Sequence, residues 1–362
     1  MIDRRSRLLL PAVAGLAILF AAPTETAEGR IPIPFTAPVT TPIVIDTPGS
    51  YVLTRNLAPS GPGPVIRVLA TGVTLDLNGH VISPSSSRGI ELDMGAEATI
   101  RNGTIEGGTY AIFGNPTANA TIEDVRISSP SGRGIYLMEP DLVVIRRVTI
   151  KDAGSIGIAV EGSPASGSRT EATIEDNLIR GAADGICVFA GGSVEISNNR
   201  IKDITAGTFA AGIIVEAVSA ALISQNTVEQ TTGVTGIHVA TADGARLVDN
   251  LVSNTVGGVG IFVSSDSSLI AGNVVQSAGS EGMEITGDRN RVRDNVLSNN
   301  GVWGLILRAS AGVNVMTGNT LYGNGGTIGT GTCYAGLWGT VDYCDEDGPS
   351  GDNIFEPDNY VQ

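Results

Sequence analysis

A Gly-Ile-x-Val phrase returns ten times along this chain, and no other feature restricts its fold so tightly. It starts at Gly89-Ile90 and passes through Ala111-Ile112, Gly134-Ile135, Gly157-Ile158, Gly185-Ile186, Gly212-Ile213, Gly236-Ile237 and Gly260-Ile261. It closes at Gly282-Met283 and Gly304-Leu305, and successive copies lie 22 to 28 residues apart. A period of this size marks a stacked architecture in which each repeat buries its apolar face only against its neighbours. The repeat is unbroken from about residue 65 to 325, so the 362 residues read as one elongated domain. Forty-eight glycines and only 16% charged residues suit short strands joined by tight turns.

A second phrase, apolar-x-x-Asn-x-apolar, keeps step with the first. Its asparagines are Asn177, Asn199, Asn226, Asn250, Asn273, Asn295 and Asn319; Gly103, Val125 and Val148 stand at the equivalent place in earlier coils. Asparagine tolerates a left-handed backbone and bonds to nearby main chain. The position is therefore expected to be a left-handed turn whose stacked amides form a structural ladder from coil to coil. One coil then reads strand, Asn turn, strand, loop, Gly-Ile-x-Val strand, loop. Strands paired with their equivalents about 4.8 Å away give three parallel sheets around an apolar core, and ten or eleven coils make a rod on the order of 50 Å long.

These phrases resemble the right-handed parallel β-helix of the pectin-lyase-like superfamily, over roughly residues 40–330. The opening segments Pro48-Gly49-Ser50-Tyr51-Val52-Leu53 and Val73-Thr74-Leu75-Asp76-Leu77-Asn78-Gly79-His80 are similar to the first coil of many secreted members. The resemblance implies an all-β, single-stranded right-handed parallel β-helix in which Gly-Ile-x-Val forms the first sheet. It also implies that any substrate lies on the outer face of that sheet. The expected layout is a signal peptide over 1–27, an N-terminal cap over 28–64, the helix over 65–326 and a C-terminal cap or tail over 327–362.

Charge and composition limit the partners. The formal charge is −15, with two lysines and two histidines, which opposes nucleic-acid binding. Arg4, Arg5 and Arg7 precede an apolar run from Leu8 to Ala22. That is the pattern of a secretory signal, too short to span a bilayer comfortably, so the mature chain is expected to be extracellular or periplasmic. Cys333 and Cys344 lie close together in the tail and either form a disulfide in an oxidising compartment or remain two thiols; the bridge is adopted here. Cys187 is then left over and inert, with no cation predicted beside it.

Side chains alternate along a strand, so the residue between Ile and Val in each phrase is expected to point outward. This file reads Glu91, Phe113, Tyr136, Ala159, Cys187, Ile214, His238, Phe262, Glu284 and Ile306; two residues later runs a file with Met138, Glu161, Phe189, Glu216 and Arg308. Outward rings at Tyr136, Phe189 and Phe262 suit sugar faces. Glu161 and Glu216 lie two coils apart, about 9.6 Å, at the wide end of the separation for an inverting glycosidase pair. His238, one coil further, can move a proton near neutral pH. Glu161, Glu216 and His238 are the candidate catalytic residues, with Tyr136, Phe189, Phe262, Glu284 and Arg308 as candidate substrate contacts. The alternative is that these columns lie under a covering loop, the 161–172 segment above all.

Lys151, Arg180 and Lys202 occupy one position after the third strand in three successive coils. They can neutralise an acidic sugar, or can already be paired with Asp152 and Asp203. The family's hydrolase phrases Gly-His-Gly and Asn-Thr-Asp are absent, as is the epimerase phrase Asp-Pro-His-Asp; Arg200-Ile201-Lys202 stands alone on the wrong sheet. Copper handling, found in one periplasmic branch, would call for His and Met clusters that two histidines and five methionines do not supply. Asp345, Glu346, Asp347 and Asp352 can hold Ca²⁺ but lack an EF-hand spacing; no other cofactor is expected. The leading expectation is a protein that binds or processes an extracellular polysaccharide, as a lyase or hydrolase if catalytic. The alternative is a non-catalytic surface or matrix rod.

Overall fold

The computed structural model describes residues 29–33 and 42–325, apart from 86, 117, 164–169, 206, 234 and 309–312, together with the backbone of four short strands between 332 and 361. The signal segment, the side chains of Cys333 and Cys344 and the acidic residues of the tail lie outside the described residues. Within them the chain is a parallel β-helix. Ile, Val and Leu alternate with polar residues in short runs, and each run pairs in parallel with its equivalent one coil on.

The Gly-Ile-x-Val strands, from Ile66–Val68 through Ile156–Glu161 and Ala211–Glu216 to Leu305–Leu307, belong to one sheet of 14 strands. The other two faces of the coil hydrogen-bond as one network of 24 strands rather than two separate sheets. They merge because Glu97–Glu106 and Asn119–Ser128 run without a break around the corner where Gly103 and Val125 stand in place of asparagine. The stacked isoleucines are in register: Ile158 on Ile186, Ile186 on Ile213, Ile213 on Ile237 and Ile237 on Ile261. All are fully buried in one continuous core from Ile33 to Leu321.

The glycine of the repeated phrase has a steric cause. A Cβ at Gly212 would lie 2.6 Å from Val228 Cγ1 and 2.7 Å from the Gly236 carbonyl oxygen, inside any tolerable contact. The first-sheet strand enters the coil against both the third strand and the next coil's backbone, and only glycine fits.

The asparagines form the ladder. Asn177 Nδ2 donates to Asn199 Oδ1, Asn199 to Asn226, Asn226 to Asn250, Asn250 to Asn273, Asn273 to Asn295 and Asn295 to Asn319, at 2.9–3.0 Å throughout. Each is buried. The left-handed turn, however, falls one residue earlier than expected. Positive φ belongs to Asp176, Asn198, Gln225, Asp249 and Asp294, and to Gly272 and Gly318, not to the ladder residues. With the reversal made by its predecessor, each asparagine turns its amide inward along the stack. Shorter ladders at two other corners escaped the sequence reading. Asn290 N–H donates to Asn314 Oδ1, and Asn300 Nδ2 to Asn324 Oδ1, although both pairs repeat at the same 24-residue step.

Candidate functional site

Strand register places the expected residues in vertical files. Phe113, Tyr136, Ala159, Cys187, Ile214, His238, Phe262, Glu284 and Ile306 are successive partners on the first sheet. They point away from the core, but the file does not face solvent along its whole length. Ala159, Cys187 and Ile214 are buried in a second apolar cluster with Ile156 and Ala211, against which Tyr136, Phe189 and Phe209 pack. Phe189 and Phe209 ring centroids are 4.5 Å apart. Burial drives the Cys187 thiol pKa well upward, so this cysteine is inert.

This cluster divides the face in two. On its N-terminal side lies a network of rings, guanidinium groups and carboxylates. Arg88 stacks on Phe113 and pairs with Glu91 at 2.7 Å, while Asn115 Nδ2 donates to the same glutamate. Arg133 stacks on Tyr136 and pairs with Glu161 at 2.8 Å, and the Tyr136 hydroxyl donates to the other oxygen of Glu161 at 2.6 Å. Burial, reinforced by the hydrogen bond to Glu161, pushes the Tyr136 phenol up to about 12. Both oxygens of Glu161 are thus engaged from the preceding coil. Phe189 holds the register position between Glu161 and Glu216, so the two glutamates do not face one another across an open gap. The rings of Phe113 and Tyr136 each have one face covered by arginine.

On the C-terminal side His238, Phe262 and Glu284 are half-buried rather than sealed, and the file closes again at Ile306, which is fully buried although alternation pointed it outward. His238 meets Phe262 edge-on, with centroids 4.8 Å apart, and Glu284 follows in the next coil. The neighbouring file carries Glu216, then the small residues Ala240 and Ser264, which leave room beside the imidazole and the ring. The Glu216 side chain is exposed and, among the described residues, has neither an ion-pair nor a hydrogen-bond partner. Arg308 pairs with Glu284 at 2.8 Å and with buried Glu281 at 3.4 Å. Burial lowers the His238 pKa, and the nearby Glu216 charge partly opposes that shift. At neutral pH His238 is an uncharged imidazole able to accept a proton, one coil from a free carboxylate, with an aromatic ring alongside.

The cations of the third strand are in file, Lys151 on Arg180 on Lys202, but on a different face. One of the expected pairings is present: Asp203 binds Arg180 of the coil before it, at 2.7 Å. Residue 203 itself takes the left-handed conformation, and its side chain reaches backward along the stack. Arg146 and Arg147 are likewise occupied, by Glu123 and Asp124, and the Arg147 hydrogen bond holds the Asp124 carboxyl below its ordinary range.

Comparison with known proteins agrees with this geometry. Residues 65–228 match the family model described as "Right handed beta helix region", and residues 160–338 match that of "Periplasmic copper-binding protein (NosD)". Among solved structures, the chain is similar to a periplasmic alginate epimerase, AlgG, with TM-score 0.56 and 13% identity, over 92% of this chain and 83% of that one. It is also similar to the catalytic unit of a GH87 α-1,3-glucanase from Streptomyces thermodiastaticus, with TM-score 0.51 and 14% identity, over 88% of this chain and 62% of that one. No curated protein gives a significant match to the sequence. The chain is a right-handed parallel β-helix of the pectin-lyase-like fold.

The copper named in the second family does not fit the donors at hand. Among the described residues no three His, Cys, Asp or Glu side chains converge on one point. Within the matched span His238 stands without a second imidazole, and Met283 and Met316 are sealed in the core.

Proposed function

We propose that this chain binds or processes an extracellular polysaccharide on the outer face of its first sheet, along the stretch from Glu216 to Arg308. The observation that carries this reading is the stack His238–Phe262–Glu284, flanked by small Ala240 and Ser264 and by the unpartnered Glu216. Phe262 supplies a ring for the apolar face of a sugar, Glu284 and Arg308 supply hydrogen bonds to hydroxyls, and Glu216 and His238 supply two groups able to accept a proton. From Glu216 to Arg308 the stretch spans five coils, about 19 Å, which matches about four sugar units of an extended glycan. Glu161, Tyr136 and Phe189 form the supporting wall at its N-terminal side. Export fits the same picture: the basic and apolar segment over 1–27 acts as a removable leader, and the cap at the far end is closed by Cys333 and Cys344.

The fold supports the reading because its likenesses include an alginate epimerase and an α-1,3-glucanase. The test is a glycan panel, scored for retention and for release of reducing or unsaturated ends, with the parent chain and with Phe262→Ala, Glu216→Gln and His238→Ala. Loss of binding in Phe262→Ala, and loss of turnover without loss of binding in the other two, is expected of a catalytic member. The buried Ala159–Cys187–Ile214 patch favours a second reading, a non-catalytic rod, because it interrupts the face. A chain that neither retains nor cleaves any glycan is that rod.

A further inference from the structure

We infer that the glycan taken by the Glu216–Arg308 stretch carries no anionic groups: a neutral polymer, not a polyuronate or a sulfated chain. This rests on the reading above and concerns the charge of the same site. Among the described residues the first sheet and its edges present four cations, Arg67, Arg88, Arg133 and Arg308, and each is already bound to carboxylate. Arg67 pairs with Asp93 at 2.6 Å, Arg88 with Glu91 at 2.7 Å and Arg133 with Glu161 at 2.8 Å. Arg308 serves Glu284 and Glu281 together, so that corner retains a net negative charge.

Neither lysine of the chain lies on this face; Lys151 and Lys202 belong to the file on the third strand. His238 does not fill the gap, since burial keeps it uncharged at neutral pH. Glu216, meanwhile, stands exposed beside that stretch, with no ion-pair partner among the described residues. A polyuronate laid here would bring a carboxylate on every sugar to within a Debye length, about 8 Å at physiological salt, of uncompensated negative charge. Hydroxyls of a neutral sugar suit the same groups, donating to the carboxylates and accepting from Arg308.

Affinity electrophoresis of the intact chain tests this, with neutral gels (mannan, β-glucan, α-1,3-glucan) and anionic gels (polygalacturonate, alginate, carrageenan), each repeated with Phe262→Ala. Expected is retardation by a neutral polymer that disappears in Phe262→Ala and changes less than about twofold between 50 and 500 mM salt. Anionic polymers are expected to show no retardation that depends on Phe262. Retardation by an anionic polymer that Phe262→Ala abolishes overturns the inference while leaving glycan binding on this face intact. Absence of Phe262-dependent retardation by every polymer overturns glycan binding here, and the inference with it.

Discussion

Replacing Asn226 by Ala tests the ladder where it is continuous on both sides. The side chain accepts from Asn199 N–H and from Asn199 Nδ2, each at 3.0 Å, and donates to the Ile196 carbonyl at 2.8 Å and to Asn250 Oδ1 at 3.0 Å. Alanine removes all four bonds and leaves the Asn199 N–H buried without its acceptor. An orphaned buried donor costs about 1–3 kcal/mol and each of the three further lost bonds about 1 kcal/mol, so the substitution should destabilise by about 4–6 kcal/mol. Asn226→Asp is informative beside it. That variant keeps the acceptor but turns a donor into a second acceptor, aimed at the Ile196 carbonyl and at Asn250 Oδ1. At neutral pH it should cost at least as much as alanine, and the loss should shrink as pH falls and the carboxyl takes up a proton. Urea titration by circular dichroism gives the global change, and amide exchange between residues 196 and 228 shows whether opening starts at that coil. A cost below about 1 kcal/mol for Asn226→Ala would refute the argument, because the buried groups would then have found other partners.

Gly260→Ala should destabilise by about 2 kcal/mol or more, since its Cβ would strike Val275 and stand 2.5 Å from the Gly282 carbonyl oxygen. Gly244→Ala, at φ 74° with nothing within 4 Å, should cost only about 1 kcal/mol in the same thermal melts. The unfolded chain takes up a proton at residue 238 before the folded chain does, so stability should fall as pH drops through and below 6.5. His238→Gln should flatten that slope, and in ring-proton NMR Glu216→Gln should move the His238 midpoint lower still. Cys333 and Cys344 are directly opposed in an antiparallel backbone pair, so the denatured, unreduced chain should show a single reactive thiol, that of Cys187. Three thiols would refute the bridge.

The sequence carried the coil in full outline. The glycine, the isoleucine and the ladder asparagine recur because every coil must meet the same neighbour at the same spacing, and a requirement repeated ten times leaves a periodic mark. Even so, a one-residue feature was misplaced. Sequence reading assigned the left-handed corner to the asparagine, whereas Asp176, Asn198 and Gln225 take it one step earlier and free the amide to stack. The composition of those predecessors is too mixed to betray the role, because several short polar side chains tolerate the conformation.

The site was legible in position but not in state. Alternation placed Cys187, His238 and Phe262 correctly in one outward file. It had no means of telling that Cys187 and Ile214 lie sealed under aromatic neighbours while Glu216 stays bare. Arg133 reaching Glu161 across 28 residues of sequence was equally hidden. Periodicity is a property of the backbone and its pleat, which local sequence dictates. Burial and ion pairing depend on how far long side chains and irregular segments extend between coils, and only the assembled stack determines that.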